Sequence, residues 1–174
     1  NFFVETGTYQ GHGIDQALDA GYNNVISIEL SEYYYHRARL KYGRYRNVKL
    51  VLGDSADVLL PTLLSVHEPM TIWLDGHYSC GKTALGKYWS PLMQELDAIS
   101  QHPIHSHTII IDDMRCWDGS DTIGFSYIEV EDKLKSINSK YVFEYFKSKE
   151  EYYPEQDCWP KGLPGDVLVA YINS

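Results

Sequence analysis

Seven short runs rich in apolar and β-branched residues punctuate this chain, and segments of helical spacing separate most of them. Runs at 2–5, 25–29, 48–51, 70–75, 107–112, 141–146 and 166–172 read as strands, and 12–21, 31–42, 55–65, 88–101 and 127–137 as helices. Strand, helix and strand in regular alternation make βαβ units, which pair their strands in parallel and cover both faces of the sheet. The pattern therefore predicts one doubly wound α/β domain spanning residues 1–174, with no internal repeat or linker. Pro91 is compatible with a first helical turn, where its missing N–H matters little. Pro154, Pro160, Gly162, Pro164 and Gly165 mark 147–165 as a long loop before the last strand. Asn1 runs directly into the apolar Phe2-Phe3-Val4, so a trimmed N-terminus or the C-terminal domain of a longer protein is expected.

Composition narrows the partners. With 22% charged and 44% hydrophobic residues, 174 residues can build a core, and wholesale disorder is excluded. Acidic minus basic residues is 24 − 15 = 9, a net charge of −9 whose average field repels nucleic acid. No apolar run reaches the roughly 18 residues of a membrane span, so no membrane insertion is expected. Cys80, Cys116 and Cys158 are odd in number and far apart, which fits reduced thiols and a cytoplasmic location better than disulfides or zinc.

In a doubly wound sheet, ligands bind beyond the carboxyl ends of the strands. Those ends carry Glu5-Thr6-Gly7-Thr8-Tyr9-Gln10-Gly11, then Glu29, then Gly53-Asp54-Ser55, then Asp75-Gly76-His77, then Asp112-Asp113. Gly7 permits close approach of a ligand, and free N–H groups at a helix start suit a carboxylate or phosphate. A carboxylate at Glu29 matches the acid that accepts ribose hydroxyls in dinucleotide folds, although it also suits the start of helix 31–42. Asp54-Ser55 reads equally as a helix cap and as a partner for an adenine amino group.

The run Val4-Glu5-Thr6-Gly7, then Gly11, Glu29 and Asp54, resembles the nucleoside-binding half of class I S-adenosylmethionine-dependent methyltransferases. The resemblance extends over almost the whole chain. It implies a Rossmann-like three-layer sandwich with a seven-stranded, mostly parallel sheet and an antiparallel last strand. Glu-Thr-Gly followed by an aromatic residue and glycine is similar to the macrocin and novobiocin sugar O-methyltransferases. The cofactor residues implied are Glu5, Thr6, Gly7, Thr8, Gly11, Glu29, Asp54, Ser55 and Asp75. The same resemblance implies Mg²⁺ or another divalent cation on Asp75, Asp112 and Asp113. Where that family places a catalytic Asp two residues after the first metal ligand, this chain has His77. It also implies a sugar, glycan or other small-molecule acceptor and, more faintly, fusion to or association with a glycosyltransferase.

The chemistry is coherent without the family. Methyl transfer to an alcohol requires a hydroxyl that loses its proton as it attacks. A carboxylate-bound divalent cation lowers that hydroxyl's pKa, and a histidine is a suitable proton acceptor near neutral pH. Tyr78, Arg115 and Trp117 are candidates to line the acceptor pocket, with Asp118, Tyr152, Tyr153 and Trp159 near it. His102, His105 and His107 read as loop histidines, and Lys41, Arg44 and Arg46 as a solvated helix end. Tyr33-Tyr34-Tyr35 suits either packing or a cover for adenosine.

A competing reading comes from residues 76–83, Gly-His-Tyr-Ser-Cys-Gly-Lys-Thr, which match the phosphate loop of nucleotide triphosphatases and kinases. That loop must pass straight from Lys82-Thr83 into a helix, yet Gly86 and Pro91 follow closely. A catalytically silent nucleoside-binding domain is a further alternative. Four costly groups kept together at Asp75, His77, Asp112 and Asp113 argue against it.

Overall fold

The computed structural model describes residues 1–79, 83–147 and 165–173. Cys80, Gly81 and Lys82 of the phosphate-loop match lie outside the described residues, as do 148–164 with Tyr152, Tyr153, Cys158 and Trp159. The elements follow in the order β1 (Phe2–Thr6), α1 (His12–Asp19), β2 (Asn24–Glu29), α2 (Glu32–Tyr42), β3 (Val48–Leu52) and α3 (Ser55–Leu63). Then come β4 (Met70–Leu74), α4 (Leu92–Ser100), β5 (Thr108–Ile111), α5 (Tyr127–Ile137), β6 (Val142–Phe146) and β7 (Val167–Tyr171).

All seven strands form one sheet in the order β3-β2-β1-β4-β5-β7-β6. The first five strands pair in parallel, and β7 runs antiparallel between β5 and β6, as the sequence predicts. Successive side chains alternate between faces. In β4, Met70, Ile72 and Leu74 are buried, whereas Thr71 and Trp73 point the other way and are half-buried. The first set joins Val4, Ile109 and Ile111 in a core under α3, α4 and α5, where Leu59, Leu96 and Leu134 are fully enclosed. Each such side chain contributes roughly 1.5–3 kcal/mol by leaving water. A smaller core on the opposite face packs Phe3 and Val25 against Ile14, Ala17, Ala38 and Tyr42 of α1 and α2. The result is a three-layer Rossmann-like domain.

One boundary departs from expectation by four residues. Helix α4 begins at Leu92 rather than at 88, with Pro91 at its N-cap. Proline pushes the residue before it out of helical conformation, so Ser90 cannot continue a helix upstream. Residues 83–91 instead fold back, with the Tyr78 N–H donating to the Trp89 carbonyl at 2.8 Å. The phosphate-loop reading fails here, because no helix follows Thr83 for eight residues. Among the described residues, no helix is long and apolar enough to cross a membrane.

Strand order reverses between β1 and β4. The helices that follow these two strands lie on opposite faces, α1 on one and α4 on the other, which leaves a crevice at the carboxyl edge of the sheet.

Candidate functional site

A cavity of about 440 Å³ fills that crevice. It is lined by Gly7 after β1, Glu29 ending β2, Gly53, Asp54 and Ser55 after β3, and Asp75 to Ser79 after β4, with Asp113 after β5. Tyr9, Tyr34 and Tyr88 supply aromatic walls. Gly7 is in the left-handed region at φ 86°, and a Cβ there would lie 2.2 Å from the Asp75 carbonyl oxygen. Its N–H is already committed to the Ile28 carbonyl at 2.9 Å. Gly7 therefore serves close approach between the β1 and β4 loops rather than ligand donation.

Glu29 is only 7% exposed. The Tyr9 N–H donates to its Oε2 at 2.8 Å and the Ser31 N–H to its Oε1 at 2.7 Å. Burial pushes its carboxyl up, while these backbone donors pull it back down. Tyr9 reaches its bond through a positive φ of 45°, unusual outside glycine, and its ring lies 4.7 Å from that of Tyr34. Asp54 caps α3 through the Ala56 N–H at 3.0 Å and also lines the cavity. The loop at 86–87 closes over it, the Lys87 N–H donating to Oδ2 at 3.1 Å.

At the opposite end sits His77. Its Nδ1 lies 3.4 Å from Asp75 Oδ1 and its Nε2 3.2 Å from Asp113 Oδ2. The ring stacks on Trp89 at 5.5 Å and meets the edge of Trp117 at 5.9 Å. Burial alone disfavours the charged imidazole. The Asp75 contact and the charges of Asp113 and Asp112 outweigh it and raise the His77 pKa above its ordinary value. Asp112 is pushed up to about 7 by burial and by Asp75 and Asp113, and Asp75 is raised chiefly by burial.

Asp75, Asp112 and Asp113 do not meet at one point in the protein. Ligand atoms instead gather in two sets that share Asp113: Asp75–His77–Asp113 and Asp112–Asp113–Asp166. Asp113 has a left-handed backbone (φ 55°) at the head of the short 3-10 turn Met114–Cys116, and this turns its side chain toward both sets. Arg115 ties the second set together, with Nη1 2.6 Å from Asp113 Oδ1 and an ion pair to the fully buried Asp166.

Other residues singled out from sequence take different places. Glu5, Thr8, Asp112 and Arg115 line a broader adjoining cavity of about 1030 Å³ on the α1 side. The Glu5 carboxyl accepts from Ser27 Oγ at 2.6 Å, and burial pushes it up to about 8. Thr6 is fully buried, its Oγ1 accepting from the Asp75 N–H at 3.2 Å. Gly11 is the left-handed N-cap of α1, and its carbonyl accepts from Tyr42. Tyr78 lines the first cavity as expected. Trp117 does not stand at a mouth: it is 2% exposed and packs on Phe125 at 5.3 Å, because the 3-10 turn swings it into the core. His102 and His107 lie in the loop before β5, as read, and are buried there. Sequence reasoning missed Asp166, Trp89 and Glu95. Asp166 and Trp89 carry only a flanking signal, a Gly-Asp before a strand and a Trp-Ser-Pro before a helix.

No protein-family model matches the chain, and no curated protein matches it by sequence. Solved structures match it by fold. A Staphylococcus aureus protein described as a caffeoyl-CoA O-methyltransferase has a TM-score of 0.59 at 13% identity, covering 99% of this chain and 76% of that one. A Streptococcus mutans protein described as a methyltransferase, solved with SAH, has 0.55 at 12%, covering 98% and 87%. An rRNA methylase from Streptococcus thermophilus has 0.56 at 13%, covering 100% and 87%. At such identities the likeness shows the fold alone. The fold is one that these methyltransferases share.

Proposed function

We propose that this chain is a cytoplasmic S-adenosylmethionine-dependent O-methyltransferase acting on a hydroxyl of a sugar, glycan or other small molecule, with a divalent cation. One observation carries the reading. A single cavity presents the acceptors Glu29 and Asp54, suited to a nucleoside, at one end, and the Asp75–His77–Asp113 cluster at the other. The methyltransferase folds matched above support the cofactor, and the O-methyltransferase among them is consistent with a hydroxyl acceptor.

The Glu29 carboxylate receives the ribose hydroxyls, and Asp54 faces the adenine edge. Asp75 Oδ1 beside Nδ1 holds the His77 ring with its proton on Nδ1 and Nε2 available as a base. His77 Nε2 accepts the acceptor hydroxyl's proton, and Asp113 stabilises the imidazolium that forms. The set Asp112–Asp113–Asp166 also fits a hard cation, since it is all carboxylate oxygen and crowded enough to push Asp112 up to about 7. Asp112 and Asp113 would hold it with Asp166, while Asp75 stays with His77 in the other set. Such an ion, when bound, lowers the pKa of the acceptor hydroxyl and orients it.

Calorimetry with S-adenosylhomocysteine and with ATP, each with and without Mg²⁺, tests the reading. S-adenosylhomocysteine is expected to bind and ATP not to. Binding of ATP alone would transfer the site to nucleotide chemistry.

A further inference from the structure

Beneath the floor of the cavity lies a carboxyl group that the proposed reaction does not use. Glu95, on the first turn of α4, is 1% exposed. The hydroxyls of Ser55 and Thr6 lie close enough to favour its charged form, so it sits between the loop after β3 and the end of β1. Thr6 in turn accepts the Asp75 N–H at 3.2 Å, so the β4 loop is bound to the same group. The Glu95 Oε1 has no hydrogen-bond partner among the described residues. It is directed at Gly76, where an added Cβ would stand 2.9 Å from Oε1 and 3.2 Å from Ser55 Oγ. Gly76 and Ser55 both line the cavity. A buried acceptor without a donor is costly unless a bound molecule or its ordered water completes it.

We propose that Glu95 is the positioning residue of the cofactor cavity: one buried carboxyl fixes the loops after β1, β3 and β4, and its second oxygen, under Gly76, accepts a donor brought with the bound cofactor. The inference rests on the cofactor reading above. A side chain that merely filled the core at this place would be apolar, as are its neighbours Leu92, Leu96 and Ile99 on α4. A glycine at 76 leaves the space beside Oε1 that any Cβ would take. Burial pushes the carboxyl up to about 7, so a substantial neutral fraction persists near neutral pH, and an amide imitates that form.

The experiment is calorimetric titration of S-adenosylhomocysteine into the wild type, Glu95→Gln, Glu95→Leu and Gly76→Ala, each with a thermal melt. Leu134→Ala, in the core under α5, serves as a control for lost stability. Glu95→Leu is expected to weaken binding at least tenfold and Glu95→Gln by less than threefold. Gly76→Ala keeps the carboxyl but blocks its free oxygen, and is expected to weaken binding about tenfold, the effect of one lost hydrogen bond to a buried group. Leu134→Ala should melt lower yet bind as the wild type does. Wild-type affinity in Gly76→Ala, or equal losses in Leu134→Ala and Glu95→Leu, would overturn the positioning role. Should Glu95→Leu not fold, Gly76→Ala alone decides. A wild type that binds no S-adenosylhomocysteine overturns the cofactor reading itself and the inference with it.

Discussion

At the amino end of the sheet, His102 and His107 are as buried as any core leucine, yet each ring nitrogen has a partner. The Met70 N–H donates to His107 Nδ1 at 3.1 Å, which places the His107 proton on Nε2. That proton points to His102 Nδ1 at 3.0 Å, and His102 Nε2 closes the chain on the Val66 carbonyl at 3.1 Å. At the carboxyl end the polar groups are also enclosed, but they repel one another. Burial and like charge push Glu5 to about 8 and Asp112 to about 7, and one Glu95 oxygen is without a donor among the described residues. The first arrangement pairs every ring nitrogen within the protein, whereas the second sets like charges against one another. Closed networks stabilise a fold, and open ones mark where binding energy is to be spent.

The largest effect that sharpens this contrast is expected from Asp113→Ala, since Asp113 belongs to both acidic sets and contacts His77 and Arg115. A methyl-transfer assay should show turnover abolished while S-adenosylhomocysteine binds within about threefold of wild type, because the nucleoside contacts lie at the other end of the cavity. Retained turnover would make the acidic sets merely structural. Next comes His77→Ala, which should lose on the order of 10²–10⁴ in kcat, the usual size of general-base assistance. A loss below tenfold removes it as base.

The amino end answers to acid instead. Desolvation lowers the His107 pKa from 6.5 to about 4, so the folded state resists a proton that the unfolded chain accepts. The contribution of this histidine to stability is therefore complete above pH 6.5 and is lost between 6.5 and 4, by up to about 3 kcal/mol. Urea denaturation of the wild type and of His107→Gln across that window checks it, and equal slopes in the two would show that the histidine chain is not the cause. The smallest of these effects is Glu29→Ala, expected to weaken S-adenosylhomocysteine by about 1.5–3 kcal/mol through lost hydrogen bonds to a charged group. Unchanged affinity would return Glu29 to its backbone role of holding Tyr9 and Ser31.

Much of the carboxyl end was legible in advance because it is assembled from loops that immediately follow strands. A strand ending in Glu29, Asp75 or Ile111 delivers the next residues to the same edge whatever the packing, so Gly7, Glu29, Asp54, Ser55, Asp75, His77, Tyr78 and Asp113 all fall on one cavity. Trp117 was misplaced because a three-residue 3-10 turn rotates it inward, and such a turn leaves no periodicity to read. That the loop histidines are buried and paired was not legible, because their partners, Val66 and Met70, lie some 36 and 37 positions away.

The alternation of apolar runs and helical segments, read alone, determined the layers, the parallel sheet and the edge that carries the chemistry, because periodicity and strand direction are local properties. Only tertiary structure decided which acids meet. Antiparallel pairing of β7 on β5 brings Asp166 to Arg115 and Asp113 across more than fifty residues, and packing of α4 slides Glu95 beneath Gly76. Contacts of that kind depend on strand order and on which helix covers which face. No stretch of sequence encodes them by itself, because each is set by residues that only folding makes neighbours.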